Sequence, residues 1–200
     1  MDHTVFTIGH STHPIEKFID LLKQHSIEAV ADVRSSPYSQ YNPQYNRETL
    51  KKTLQEHEIQ YVFLGDELGA RRSERGCYVD GQAVYERVAQ LPAFREGIER
   101  VKKGAQKMRI ALMCAEKDPI ECHRAVLVSR RLKQEKVDVS HILVDGNVQE
   151  HGELEERLLS LSGLQGGDLF RSSEEVMTEA YERRGQQIAY TEKKDGNIGE

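Results

Sequence analysis

The sequence predicts an α/β fold: a single three-layer domain with an open, mostly parallel five-stranded sheet and helices on both faces. Two observations carry this. Short β-branched and apolar runs alternate along the chain with longer segments whose apolar residues recur at helical spacing, the pattern of a parallel sheet covered on both sides. A length of 200 residues also suits one core better than two.

Thr4 to Ile8 reads as the first strand and stops at Gly9-His10-Ser11. Pro14 then stands in a first-turn position ahead of Ile15, Phe18, Ile19 and Leu22, which form one apolar helical stripe. Ala29 to Val33 is a short buried strand that ends in Asp32-Val33-Arg34. The stretch "SSPYSQYNPQYN" reads as a long loop, followed by a helix from about Arg47 to His57 and a third strand from Ile59 to Leu64. Residues 65–81 carry four glycines and three arginines with little periodicity, so a mobile excursion over one sheet edge is expected. Helices are expected at about Gln82 to Gln90 and Ala93 to Lys103. The fourth strand falls at Met108 to Met113 and the fifth at Val139 to Val144, with a helix between them.

Beyond Gly163 the chain is polar, yet Ser172 and Glu175 make a capping box, and Val176, Met177, Ala180 and Tyr181 form a stripe. One docked helix is expected there, fraying beyond about Tyr190. This divides the chain into an α/β domain at 1–165 and a helical extension with a polar tail at 166–200.

Composition narrows the function. No apolar run reaches the ~20 residues of a membrane span, and the start, Met1-Asp2-His3-Thr4, has no basic patch or apolar stretch of a secretory signal. Cys77, Cys114 and Cys122 are too few for a disulfide framework and fit a reducing compartment, so a cytoplasmic protein is expected. The net charge of −5 opposes a general nucleic-acid coat, although Arg71, Arg72 and Arg75 form a local basic cluster.

In an open parallel sheet, ligands sit outside the carboxyl ends of the strands. His10, Ser11, Asp32, Arg34, Cys114 and Glu116 all fall at such ends, with Asp66 and Glu67 after the third strand. Asp32 and Arg34 point to one side of their strand, which suits an arginine held by its acid neighbour and offered to an anionic oxygen; a structural ion pair fits equally. Asp118-Pro119-Ile120-Glu121 carries helix-start signals, which would place Cys122, His123 and Arg124 in the first turn and a half of a helix beginning at Pro119. Cys122 then points at the sheet as a packed thiol. Cys114 is either a nucleophile eased into its thiolate form by nearby positive charge or another packed thiol. No phosphatase pattern is present, since the sixth residue after Cys114 is Ile120 rather than arginine. A metal reading takes His10, Cys114, Cys122 and His123 as ligands, in a spacing that matches no standard knuckle. In the excursion, Arg71, Arg72 and Arg75 either close over a phosphate or remain solvated, while Tyr38, Tyr41 and Tyr45 either stack on a base or cover the core.

Four ordered motifs, "TIGHS", "DVRSSPYS", "YVFLGDELGARR" and "LMCAEKDPIECHR", together with the closing "QQIAY", resemble the family named domain of unknown function 488 over nearly the whole chain. The resemblance implies a compact α/β domain of bacteria and archaea with no established general activity. It maps the family's motif positions onto Gly9, His10, Ser11, Asp32, Arg34, Pro37, Leu68, Gly69, Cys114, Glu116, Cys122, His123 and Arg124.

The expected function is an enzyme acting by hydrolysis or group transfer on a phosphorylated or nucleotide-like ligand at the strand ends. His10, Cys114 or Glu116 would carry the chemistry, with Ser11, Asp32, Arg34, Arg71, Cys122, His123 and Arg124 holding the ligand. No cofactor is identified. The alternatives are a non-catalytic module for a small anion or a nucleic-acid-related partner, and a metal-dependent enzyme using the Cys and His groups.

Overall fold

A computed structural model describes residues 4–164 and 170–192. The strands are β1 (Val5–Gly9), β2 (Ala29–Asp32), β3 (Gln60–Phe63), β4 (Tyr78–Val79), β5 (Gln82–Ala83), β6 (Ile110–Cys114), β7 (Val139–Ile142) and β8 (Val148–Glu150). The helices are α1 (Ile15–Gln24), α2 (Arg47–Glu56), α3 (Gly65–Leu68), α4 (Tyr85–Val88), α5 (Pro92–Ala105), α6 (Arg130–Gln134), α7 (His151–Leu161) and α8 (Ser173–Ile188). None is long and apolar enough to cross a membrane, among the described residues.

The five expected strands are all present and parallel, in the order β3-β2-β6-β1-β7. A sixth, β8, joins antiparallel beside β7, so the sheet has six strands and remains open. Alternation along each buried strand sends side chains to two cores. Phe6, Ile8, Val30, Ala111 and Met113 face α1 and α2, where Phe18, Leu22, Leu50 and Leu54 are fully buried. Val5, Ala31, Ile110, Leu112 and Cys114 face the opposite layer, built from α5, α7, α8 and the segment before α6. Each Val, Leu, Ile, Phe or Met among them contributes roughly 1.5–3 kcal/mol by leaving water.

Three elements depart from the expected order. The excursion at 65–81 is structured: it contains α3, a 3-10 turn at Arg75–Cys77 and the strand β4. The helix expected from Gln82 begins only at Tyr85, because Gln82 and Ala83 pair with Val79 and Tyr78 across Asp80-Gly81. Asp80 and Gly81 have φ of 50° and 81°, left-handed values that a two-residue hairpin turn requires. The helix expected from Pro119 starts later. Asp118 does cap Ile120 N–H at 3.1 Å, but the 3-10 turn Pro119–Glu121 is closed by Cys122 in an extended conformation, φ −134° and ψ 139°. Winding resumes at Arg124 as a π-helix, Arg124–Ser129, that runs into α6.

The capping box of α8 forms as expected, with Ser172 Oγ accepting from Glu175 N–H and the Glu175 carboxylate accepting from Ser172 N–H. Val176, Ala180 and Tyr181 bury into the second core. Just past Tyr190, where fraying is expected to begin, Thr191 bridges to Gln82, and Glu192 N–H donates to the Gly81 carbonyl. The start at 1–3, the division point at 165–166 and the tail beyond Glu192 lie outside the described residues.

Candidate functional site

The carboxyl ends of β1, β2 and β6 lie side by side. Gly9 pairs with Cys114, and Asp32 with Met113. The chain stays paired past the strand ends: His10 N–H donates to Cys114 O and Ser11 N–H to Ala115 O, both at 2.9 Å. Gly9 permits this approach. A Cβ there would stand 1.9 Å from the Glu116 carbonyl oxygen, so Gly9→Ala is expected to push the 114–118 loop outward and destabilise by about 1–3 kcal/mol. Urea denaturation checks the loss, and the rate of Cys114 alkylation, expected to rise, checks its location.

On the α1/α2 side of the sheet edge, Arg34 is clamped by its acid neighbour. Nε donates to Asp32 Oδ1 at 2.9 Å, Nη2 to Oδ2 at 2.6 Å, and the backbone N–H of Arg34 to Oδ1 at 3.1 Å. Nη2 also donates to Tyr45 O, and Tyr61 O–H to Asp32 Oδ2. Asp32 is fully buried. The arginine fork is therefore held by the acid, and Nη1 donates to His10 Nε2 at 3.3 Å.

His10 lies stacked on Tyr45 with ring centroids 4.1 Å apart. Its Nδ1 is 2.7 Å from the Ser11 carbonyl, which only accepts, so Nδ1 carries the proton and Nε2 receives Arg34. Burial lowers the His10 pKa to about 4, and Arg34 and Arg124 push the same way against the Ser11 carbonyl and Asp32. His10 is a neutral prop for Arg34. Ser11 adopts φ 50°, a left-handed conformation that costs roughly 1–2 kcal/mol for a non-glycine residue.

On the other side of the sheet edge, Cys114, Cys122 and His123 come together, all buried. His123 Nε2 is 3.0 Å from the Val33 carbonyl, so it carries the ring proton. Nδ1 then turns its lone pair toward Cys114 Sγ at 3.7 Å and Cys122 Sγ at 3.9 Å. Cys122 Sγ also contacts Glu116 Oε2 at 2.9 Å and receives the Arg124 backbone N–H at 3.4 Å. These contacts separate the two thiols. Burial raises the Cys122 pKa, but the Cys114 thiol, the Arg124 guanidinium and His123 outweigh it and hold Cys122 well below the usual thiol value. Contact with Cys122, then burial, drives Cys114 well above that value. For His123, burial acts downward and is overcome by the Cys122 sulfur, so its pKa rises. Glu116 is an exposed residue, but its carboxyl end is turned onto the sulfur, and loss of water there, with the Cys122 charge, raises its pKa.

Arg124 is fully buried behind this cluster. Nη1 donates to Glu116 O at 2.7 Å and Nη2 to Lys117 O, which shapes the 116–117 loop. The π-helix that Arg124 opens is stabilised by Ser129 Oγ, which donates to the Arg124 carbonyl at 2.7 Å.

A pocket of about 290 Å³ opens at these strand ends. Of the residues expected in a site, Arg34, Arg71, Cys114, Glu116 and His123 line it. His10, Ser11, Asp32, Cys122 and Arg124 do not line it, although Asp32 and His10 hold Arg34, and Cys122 and Arg124 hold Glu116. The basic cluster is split: Arg71 projects over the Tyr190 ring at 4.6 Å, Arg72 is held by Glu74 and the Asp66 carbonyl, and Arg75 pairs with Glu192. Of the loop tyrosines, Tyr38 lines the pocket, Tyr41 is 94% exposed and Tyr45 is buried.

The sequence did not single out Ser35, Tyr85, Glu121, Ile188 or Tyr190, which also line the pocket. The last two belong to the "QQIAY" stretch, set apart with the extension although it closes one wall. Tyr61 was placed in β3 without a role, and its hydroxyl fixes Asp32.

A family model described as a domain of unknown function, DUF488, matches residues 14–131, more than half of the chain. The chain belongs to the DUF488 family. The match includes Asp32, Arg34, Cys114, Glu116, Cys122, His123 and Arg124 and stops short of Ile188 and Tyr190, so the pocket of this DUF488 protein is completed by chain outside the matched segment. Neither a curated protein nor a solved structure gives a match.

Proposed function

We propose that this DUF488 protein is an enzyme that binds a small phosphorylated or nucleotide-like anion in the pocket at the strand ends and acts on it by hydrolysis or group transfer. The observation that carries the reading is the composition of one wall. There Arg34 and Arg71 share a pocket with Cys114, His123 and Glu116. An anion held by Arg71, with the Arg34 charge beside it, lies next to groups able to move protons or attack. Tyr38, 56% exposed on the pocket rim, offers a face on which a base can stack. The three unbridged cysteines fit a reducing, cytoplasmic setting.

A thermal-shift panel of nucleotides, sugar phosphates and polyanions tests the reading, since a ligand that binds only the folded state raises the melting temperature. At least one phosphorylated compound is expected to do so. Arg71→Ala, at an exposed position, is expected to abolish the shift while leaving the unliganded melting temperature within about 1 °C, as surface substitutions change stability little. A shift that survives both Arg71→Ala and Arg34→Gln refutes the pocket as the ligand site. Cys114→Ala separates the alternatives: retained binding with lost turnover supports the enzyme, and binding without any turnover in the unaltered protein supports the non-catalytic module.

A further inference from the structure

We propose that Cys114, Cys122 and His123 form a Cys₂His centre for a divalent, thiophilic cation of the zinc class, with its fourth position directed into the pocket.

The ligand set is tested by distance. A tetrahedral zinc with the usual bond lengths separates two sulfurs by roughly 3.8 Å and a sulfur from an imidazole nitrogen by roughly 3.5 Å. The Nδ1–Sγ separations are 3.7 and 3.9 Å, and all three donor atoms lie within 4.8 Å of one another. The donors come from two segments, the end of β6 and the extended residue that interrupts helix formation after Pro119. That interruption has a geometric consequence. In a helix starting at Pro119, as the local sequence signals require, Cys122 and His123 would project about 100° apart around the axis; the extended backbone at Cys122 instead lets both turn toward Cys114.

The surroundings resemble the outer shell of a metal site. His123 donates Nε2–H to the Val33 carbonyl, which fixes the tautomer that presents Nδ1. Cys122 Sγ accepts the Arg124 backbone N–H, a hydrogen bond of the kind that steadies a metal thiolate. Softness of the donors favours zinc over magnesium or calcium, which take oxygen ligands. His10 takes no part, because its two ring nitrogens are engaged by Ser11 and Arg34.

Three protein ligands leave one tetrahedral position for a ligand, the arrangement of catalytic rather than structural zinc. Cys114 and His123 line the pocket beside Glu116, Arg34 and Arg71, whereas Cys122 does not. The open position therefore faces the space assigned to the anion, where the cation would polarise an oxygen of that ligand. This role of the fourth position rests on the proposed function; metal binding by the three residues does not.

Titration with Co²⁺ of the full chain, purified without a histidine tag, stripped with chelator and kept reduced, reads the centre directly. Stoichiometric binding is expected, with thiolate-to-cobalt charge-transfer absorption and the d–d bands of a tetrahedral ion, both displaced by Zn²⁺. Cys122→Ser and His123→Ala are expected to lose the tetrahedral spectrum, and Cys77→Ser to keep it. Because a buried substitution can impair folding, the unaltered protein supplies a second measurement: Zn²⁺ is expected to protect Cys114 and Cys122 from alkylation at least tenfold over the stripped protein. Absence of the spectrum at stoichiometric Co²⁺, its persistence in Cys122→Ser, or unchanged alkylation overturns the proposal. The two readings fail separately. Anion-dependent turnover in a protein that gives no tetrahedral Co²⁺ spectrum leaves the pocket enzyme and ends the Cys₂His centre, whereas Co²⁺ binding with no anion-induced thermal shift does the reverse.

Discussion

Asp32→Ala is expected to destabilise the protein by about 3–5 kcal/mol, because it leaves a buried arginine without its counter-charge. Asp32 accepts four hydrogen bonds, three from Arg34 and one from Tyr61, and is fully buried. Its removal frees the Arg34 fork, which in turn releases His10, whose Nε2 has Arg34 as partner. Ligand affinity is expected to fall with stability, since Arg34 reaches the pocket only in the orientation that Asp32 imposes. Urea unfolding measures the first effect and the thermal-shift panel the second. Asp32→Asn, which keeps the shape and loses the charge, is expected to fall between the two. A loss below about 1 kcal/mol for Asp32→Ala would place the pair among exposed ion pairs, whose contribution is that small, and would contradict its burial.

Acid is expected to destabilise the protein well above the range in which carboxylates titrate. A chain of hydrogen bonds runs through the interior: Thr7 Oγ1 to His141 Nδ1 at 2.7 Å, His141 Nε2 to His151 Nδ1 at 2.9 Å, His151 Nε2 to Tyr181 O–H at 2.9 Å, and Tyr181 O–H to Glu155 at 3.0 Å. With Glu155 as the terminal acceptor, every proton points one way and both imidazoles are neutral. Protonating His151 at Nδ1 sets two N–H donors against each other between His141 and His151, and protonating His141 at Nδ1 turns a second donor onto the Thr7 hydroxyl. Burial lowers the His151 pKa to about 4, with Lys133 adding to it; burial also lowers His141, with His151, Arg124 and Arg157 adding to that. Glu155 Oε1 lies 3.9 Å from His151 Nε2 at a partly solvated position.

Because the folded-state pKa lies below the unfolded value near 6.5, the unfolded chain binds more protons between the two. The stabilisation is complete above about pH 6.5 and is lost as pH falls toward 4, by up to about 3 kcal/mol for His151 alone. His10, also lowered to about 4 by burial, adds a similar loss over the same window. Urea denaturation at pH 7 and pH 4.5 reads the difference. His151→Gln is expected to lower stability at pH 7 and to reduce the pH dependence; an unchanged slope between those pH values would refute the account.

Local pattern was enough for most of the scaffold. Buried strands such as Ile110–Cys114, and Ala29–Asp32 up to its terminal acid, are apolar on both faces, and the stripe of α1 and the capping box of α8 follow from residues near each other along the chain. β8 was missed because Val148, Gln149 and Glu150 are an exposed or half-exposed edge with no apolar alternation to mark them. The hairpin turn at Asp80-Gly81 was legible as a dipeptide but was absorbed into an excursion and a helix on either side of it.

The sequence by itself determined which groups stand at the strand ends, because the termination of an apolar run is written in neighbouring residues. Only the tertiary structure decided what those groups do there. Asp32 takes the fork of Arg34, Arg124 is sealed behind the loop it holds, and the helix signals at Asp118 yield to an extended Cys122. Each outcome depends on contacts across strand register, such as Gly9 against Cys114 or His123 against Val33. Residues close along the chain report dihedral preference and burial, and the energy of a buried charge or thiol is set by partners that the chain brings in from far away.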